Sequence, residues 1–190
     1  MPRRARPELN IPDEATIQRL YKAAEGTPLE VPILLASIGA MRRGEIVAAT
    51  LDDIKDGYIH IHRAAALNEH QEQVIKEYPK TEGSDRYILL PDAVIQKIQD
   101  QGCVCSVSLT YISTMFPRLL RKVGIEHFRF HDLRHAFVSI AHAAGLPDAY
   151  IMERGGWSTT YTMTNVYRHT LTEDRKKQNE KVNNVFADLL

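Results

Sequence analysis

Two short stretches of this chain set phosphate-handling groups at helical spacing. In His131-Asp132-Leu133-Arg134-His135 an imidazole and a guanidinium stand three positions apart, which makes them neighbours on one face of a helix. An arginine fork matches two non-bridging phosphate oxygens, and an imidazole moves a proton near neutral pH, so the pair suits phosphoryl transfer. Far upstream, Arg42-Arg43-Gly44-Glu45 adds two further guanidinium groups and a carboxylate at the start of a second helix. Glu45 reads as an orienting group rather than a reactive one, because an anion facing a phosphate opposes binding. Taken singly, each feature has a plain structural alternative. His131 and Arg134 suit a solvated helix face, Arg42 and Arg43 a helix start, Lys80 a polar turn, and Trp157 a core.

The elements that must hold these residues follow from periodicity and punctuation. Asp13 is a helix cap ahead of Ile17, Leu20, Tyr21 and Ala24, and Gly26 and Pro28 end that helix. A second helix is expected from about Leu29 to Ile38, broken near Gly39, and a third begins around Arg42. Between Asp52 and Leu90 the pattern changes to strand formers, Tyr58, Ile59, Ile61, Val74, Ile75, Tyr87 and Ile88, separated by Asn68-Glu69 and the turn Thr81 to Ser84. Helical segments return near Asp92 to Asp100, Leu109 to Val123, His131 to Ala144, Asp148 to Glu153 and Thr172 to Phe186. In the helix opened by His131 the expected apolar stripe is Leu133, Phe137, Ile140 and Ala144, with His131, Arg134 and His135 together on another face. The predicted fold is α+β, mainly α-helical with a small three-stranded antiparallel sheet.

Bulk properties narrow the classes. A chain of 190 residues, 44% hydrophobic and 25% charged, has the composition of one globular domain. Its longest nearly apolar stretch, Val31 to Met41, is well short of the roughly 20 residues of a membrane span. The basic start lacks the apolar run of a secretory signal, so no membrane partner and a cytoplasmic location are expected. Cys103 and Cys105 are too close for a useful disulfide and lack the paired ligands of a zinc knuckle. The formal net charge is +0, so nucleic-acid binding requires local concentration of charge, as at Arg3 to Arg6, Arg42 to Arg43, Arg118 to Lys122 and Arg175 to Lys177.

The order of the motifs then becomes informative. His131-Asp132-Leu133-Arg134-His135 resembles the second conserved box of the tyrosine recombinases, the phage-integrase family. Ile38-Gly39-Ala40-Met41-Arg42-Arg43-Gly44-Glu45-Ile46 resembles the first. Tyr78-Pro79-Lys80-Thr81, followed by Arg86-Tyr87-Ile88, is similar to the hairpin that presents the family's lysine. Arg154-Gly155-Gly156-Trp157-Ser158 is similar to its G-H/W-S element, and Asn165-Val166-Tyr167-Arg168-His169 to its nucleophile box. Two departures stand out: Trp157 occupies a position where histidine is commoner, and the gap from there to Tyr167 is about one residue longer than usual. Tyr161 is the competing nucleophile, but it lacks the Y-x-H flank that Tyr167 forms with His169.

The resemblance implies a catalytic domain spanning 11–170, after a linker remnant at 1–10 and before a helical tail at 171–190 that docks on its own domain or on another protomer. It implies Arg42 and Arg134 as a phosphate clamp, Tyr167 as nucleophile, Lys80 as general acid, His131 as proton manager and Trp157 as a hydrogen-bond donor, with Glu45 in support. It implies no metal and no cofactor. The implied partners are double-stranded DNA and further protomers in a synaptic tetramer. The implied function is site-specific recombination, for integration or excision of a phage or other mobile element. Alternatives are relaxation of DNA in the manner of a type IB topoisomerase, or a non-catalytic DNA-binding regulator. A metal-dependent nuclease built on His60 and His62 fits less well, since no ordered carboxylate cluster accompanies them. Nothing before Ile11 fits the DNA-clamping domain of the family's full-length members, so a fragment is expected.

Overall fold

The computed structural model describes residues 10–77 and 85–159. Three helices come first: α1 (Glu14–Ala24), α2 (Glu30–Ser37) and the short α3 (Arg43–Ala48). Asp13 caps α1 by accepting the Thr16 N–H at 2.8 Å, and Ile17, Leu20 and Ala24 bury the stripe predicted for it. The fourth predicted position, Tyr21, is half-buried and shares a 2.7 Å hydrogen bond with the Ser37 hydroxyl. Beyond α2 the chain must reverse within Ile38 to Met41. Ala40 takes a positive φ of 49° to do so, a conformation costly for any residue with a Cβ.

The strands follow as β1 (Ile54–Lys55), β2 (Tyr58–Ile61), β3 (Arg63–Leu67), β4 (Gln73–Glu77) and β5 (Arg86–Leu89). Asp56-Gly57 joins β1 to β2 with positive φ at both residues, the two-residue turn whose twist matches an antiparallel pair. The three-stranded sheet has the order β1-β2-β5 and is antiparallel throughout, with His60 opposite Tyr87 and Ile61 opposite Arg86. Val74 and Ile75 do not join it. They lie in β4, which pairs with β3 in a separate two-stranded ribbon. Residues 78–84, which include Lys80 and the turn expected at Thr81 to Ser84, lie outside the described residues.

The remaining described elements are α4 (Asp92–Gln101), α5 (Leu109–Lys122), α6 (Asp132–Ala143) and α7 (Asp148–Gly155). One core joins α1, α2, the three-stranded sheet, α5 and α6 through Leu20, Leu35, Ile59, Ile88, Phe116 and Leu133. Phe116 meets Phe128 and Phe130 edge to face at 5.5 and 5.2 Å, which pins the loop leading into α6. The α6 pattern differs from expectation. Ala144 is exposed, whereas Ala136, Val138 and Ala141 are buried with Leu133, and Arg134 and His135 are themselves buried at 1% and 6% exposure. The cause is position: α6 packs against both α2 and α7, so the face that carries Arg134 and His135 meets protein. Among the described residues no helix is long and apolar enough to cross a membrane.

Candidate active site

The site is built where α3, α6 and the turn after α7 converge on an ion-pair network. Glu45 occupies the third position of α3 with its side chain fully buried, and its carboxylate accepts the backbone N–H of Arg42 at 2.7 Å, closing the helix start. The same carboxylate takes Arg42 Nη1 at 2.7 Å and both terminal nitrogens of Arg86, at 3.2 and 2.7 Å. Burial alone raises the pKa of Glu45. The hydrogen bonds and charge of Arg86, reinforced by Arg42, overcome that and hold it at about 2. Glu45 is therefore a fixed anion that orients two guanidinium groups, those of Arg42 and Arg86.

Arg86 belongs to this network, a placement that the motif containing it does not indicate. Its Nε donates to the Arg154 carbonyl at 2.9 Å, while Arg154 itself donates to the carbonyls of Ile38 at 3.1 Å and Leu89 at 3.0 Å. The signal for Arg86 lies in the alternation of β5: Arg86 and Ile88 point inward, Tyr87 and Leu89 outward. An arginine on the inward register of a strand needs a buried anion, and Glu45 is that anion.

Arg42 and Arg134 reach the same turn from opposite ends of the sequence. Arg42 Nη2 donates to the Gly156 carbonyl at 2.9 Å, and Arg134 Nη2 to the Gly155 carbonyl at 2.9 Å. Arg134 Nη1 also donates to the carbonyl of Ala40, the residue in left-handed conformation, so that strained turn directs an acceptor at a buried cation. The Trp157 ring lies over the Arg134 guanidinium, 4.6 Å from its carbon to the ring centroid. Sequence-predicted Arg42, Arg134, Trp157 and Glu45 are thus brought together.

His131 stands at the start of α6, exposed over part of its surface, with its ring 5.2 Å from that of His135 at an interplanar angle of 83°. Burial of the imidazole, then the positive charge of Arg134, depresses the His131 pKa to about 4. The same two influences push His135 down. A neutral imidazole beside the arginines can accept a proton. His131 also lines a cleft of about 440 Å³ with Arg43, His127 and Arg129 on its polar side and Phe116 and Phe130 on its apolar side. Lys80, Tyr161 and Tyr167, with the helix expected at Thr172 to Phe186, lie outside the described residues.

His60 and His62 sit elsewhere, stacked at 4.6 Å on the sheet. His60 pairs with Asp85 at 2.7 Å, and His62 bridges Asp53 at 2.9 Å and Glu77 at 3.1 Å. Each imidazole is thus engaged with carboxylates, and among the described residues no group of three or more His, Cys, Asp or Glu side chains is arranged to hold a metal ion.

Comparison with known proteins places this geometry in context. The model of the phage integrase family matches residues 12–174. The integrase of Salmonella phage P22 is 34% identical over 75 residues, covering 40% of this chain and 19% of that protein. A XerC-like tyrosine recombinase from Caldanaerobacter subterraneus subsp. tengcongensis is 20% identical over a 215-residue alignment, covering 94% of this chain and 55% of that protein. The chain therefore spans little more than half the length of the longer match. Among solved structures, the Tn1549 transposon integrase in complex with a circular intermediate DNA superposes with a TM-score of 0.78 at 16% identity, over 96% of this chain and 68% of that one. A lambda integrase dimer bound to a core site gives 0.62 at 15% identity, over 86% and 49%. At such identities the likeness shows the shared fold.

Proposed function

Because this chain belongs to the phage integrase family, we propose that it cuts and rejoins double-stranded DNA at specific sites, as the catalytic domain of a recombinase serving a phage or other mobile element. The observation that carries the reading is the convergence of Arg42, Arg134 and Trp157 on the Gly155-Gly156 turn, with Glu45 holding Arg42 in register. Two guanidinium groups fixed by protein acceptors form a preorganised seat for a phosphate, and stabilising charge on the equatorial oxygens is the main requirement of phosphoryl transfer.

In this proposal Arg42 and Arg134 clamp the scissile phosphate. The Tyr167 oxygen attacks phosphorus; the new Tyr–O–P bond forms as the bond to the 5′ oxygen breaks, and Lys80 gives that oxygen its proton. The 3′-phosphotyrosine keeps the ester's energy, so a second 5′-hydroxyl reverses the step and reseals a strand. His131, neutral at pH 7, manages the nucleophile's proton. Trp157 takes the place of a histidine donor through its indole N–H. The proposed catalytic unit is 11–170, working in the cytoplasm and assembling with other protomers on DNA, with the tail at 171–190 available for exchange between them.

The test is trapping on a nicked duplex that carries candidate recombination sites. The expected product is a covalent adduct that peptide mapping assigns to Tyr167 and that Tyr167→Phe abolishes while DNA binding persists. An adduct at another residue, or none despite measurable binding, overturns the assignment.

A further inference from the structure

Trp157 is the sole tryptophan of the chain, and its ring leans on the residue two positions before it. Gly155 closes α7 with no positive φ, so nothing in its backbone requires glycine. The space does. A Cβ built at position 155 meets ring atoms Cζ3, Cε3 and Cη2 of Trp157 at 1.9, 2.2 and 2.5 Å, well inside contact distance. The three nearest atoms all belong to that one ring, and the ring is what lies over the Arg134 guanidinium at 4.6 Å. The Gly155 carbonyl accepts from the same guanidinium at 2.9 Å.

We propose that Gly155 and Trp157 are a matched pair: the absent side chain at 155 is what lets an indole lie against Arg134, which makes Gly155 a positioning residue for the phosphate clamp. The link to the clamp rests on the function proposed above; the packing relation does not. A smaller ring at 157 needs less of this clearance, so the demand for glycine at 155 is tied to the tryptophan. An alanine there suits a helix end, and its penalty arises from displacing the indole.

A cycle over Gly155→Ala and Trp157→His tests the pair. In Gly155→Ala the indole must leave the guanidinium, so the emission maximum and near-ultraviolet dichroism of the single tryptophan shift and acrylamide quenches it more strongly. The rate of covalent adduct formation falls on the order of ten- to a hundredfold, the scale of a misplaced group in a preorganised site, with DNA affinity little changed. In the Trp157→His background, adding Gly155→Ala changes the adduct rate by no more than about threefold, whereas independent sites would repeat the single-variant loss. Should Gly155→Ala alone not fold, recovery of folding in the double variant carries the same meaning. Unchanged tryptophan spectra and quenching in Gly155→Ala overturn the pairing, as does an equal rate loss in both backgrounds. Failure of wild type to form any adduct speaks against the proposed function, and the spectra then decide the pairing independently.

Discussion

Glu45 and His131 are the residues whose ionisation the fold alters most clearly, in opposite chemical senses. Glu45 is held charged, with its folded pKa near 2, below the ordinary carboxylate value of 4.5. Its contribution to stability is therefore complete above pH 4.5 and is lost as pH falls toward 2. His131 is held neutral, with a folded pKa near 4 against 6.5, so protonation opposes folding. Its share of stability is complete above pH 6.5 and is lost as pH falls toward 4. The His131 ring followed by NMR is expected to stay neutral through pH 6, and a midpoint near 6.5 would show that burial and Arg134 do not depress it. Glu45→Ala leaves Arg86 buried without its anion, and urea unfolding should show a loss of about 3–5 kcal/mol, as for other broken buried pairs. Arg134→Lys keeps the charge but not the planar fork or the stack under Trp157, so adduct formation should drop on the order of a hundredfold or more.

At the scale of elements, the ribbon β3–β4 is attached by ionic as well as apolar contacts. His62, at the junction of β2 and β3, hydrogen-bonds Asp53 on one ring nitrogen and Glu77 at the end of β4 on the other, and the Asp53 bond chiefly raises its pKa. Both nitrogens face acceptors, so the protonated ring serves the clamp best. This stabilisation is complete below pH 6.5 and is lost as pH rises through the raised folded value. Hydrogen exchange of the β3 and β4 amides, corrected for the intrinsic pH effect, is expected to speed up above that point, and His62→Gln should remove the pH dependence. Apolar periodicity and cap chemistry made most elements legible in the sequence: Asp13, the break near Gly39, and the helical spacing of Leu109 to Val123 all mark boundaries that the structure keeps. The face of α6 was not legible. Whether an Arg-His face meets water depends on which helices pack there, and that is a tertiary fact. Motif order suggests Arg42, Arg134, Trp157 and Glu45 as candidates, and these lie together, whereas the placement of Arg86 needs the strand register and the buried carboxylate opposite it.

For the molecule as a whole, a formal charge of zero hides segregation. From Leu109 to His131 the chain carries Arg118, Arg121, Lys122 and Arg129 against Glu126 alone, while Asp52, Asp53 and Asp56 crowd around β1. A locally cationic stretch in a chain of zero net charge favours approach to a polyanion in one orientation. Binding to duplex DNA should therefore be weak and steeply salt-dependent, and removing Arg43 from the cleft beside His131 is expected to lower the slope of log K against log salt by about one. An unchanged slope in Arg43→Ala would place that cleft away from the phosphates.

The turn at Ala40 has a bearing on how this site tolerates change over generations. Its backbone is left-handed at a fully buried position, and its carbonyl is committed to Arg134. Substitutions there are judged by a torsion angle before they are judged by volume. Glycine relieves the strain and keeps the carbonyl in place, whereas valine or isoleucine, stiff at the branched carbon, would resist the angle although each is apolar. A saturation library at position 40 should accordingly rank residues by their ease at positive φ, an order that hydrophobicity alone would not produce.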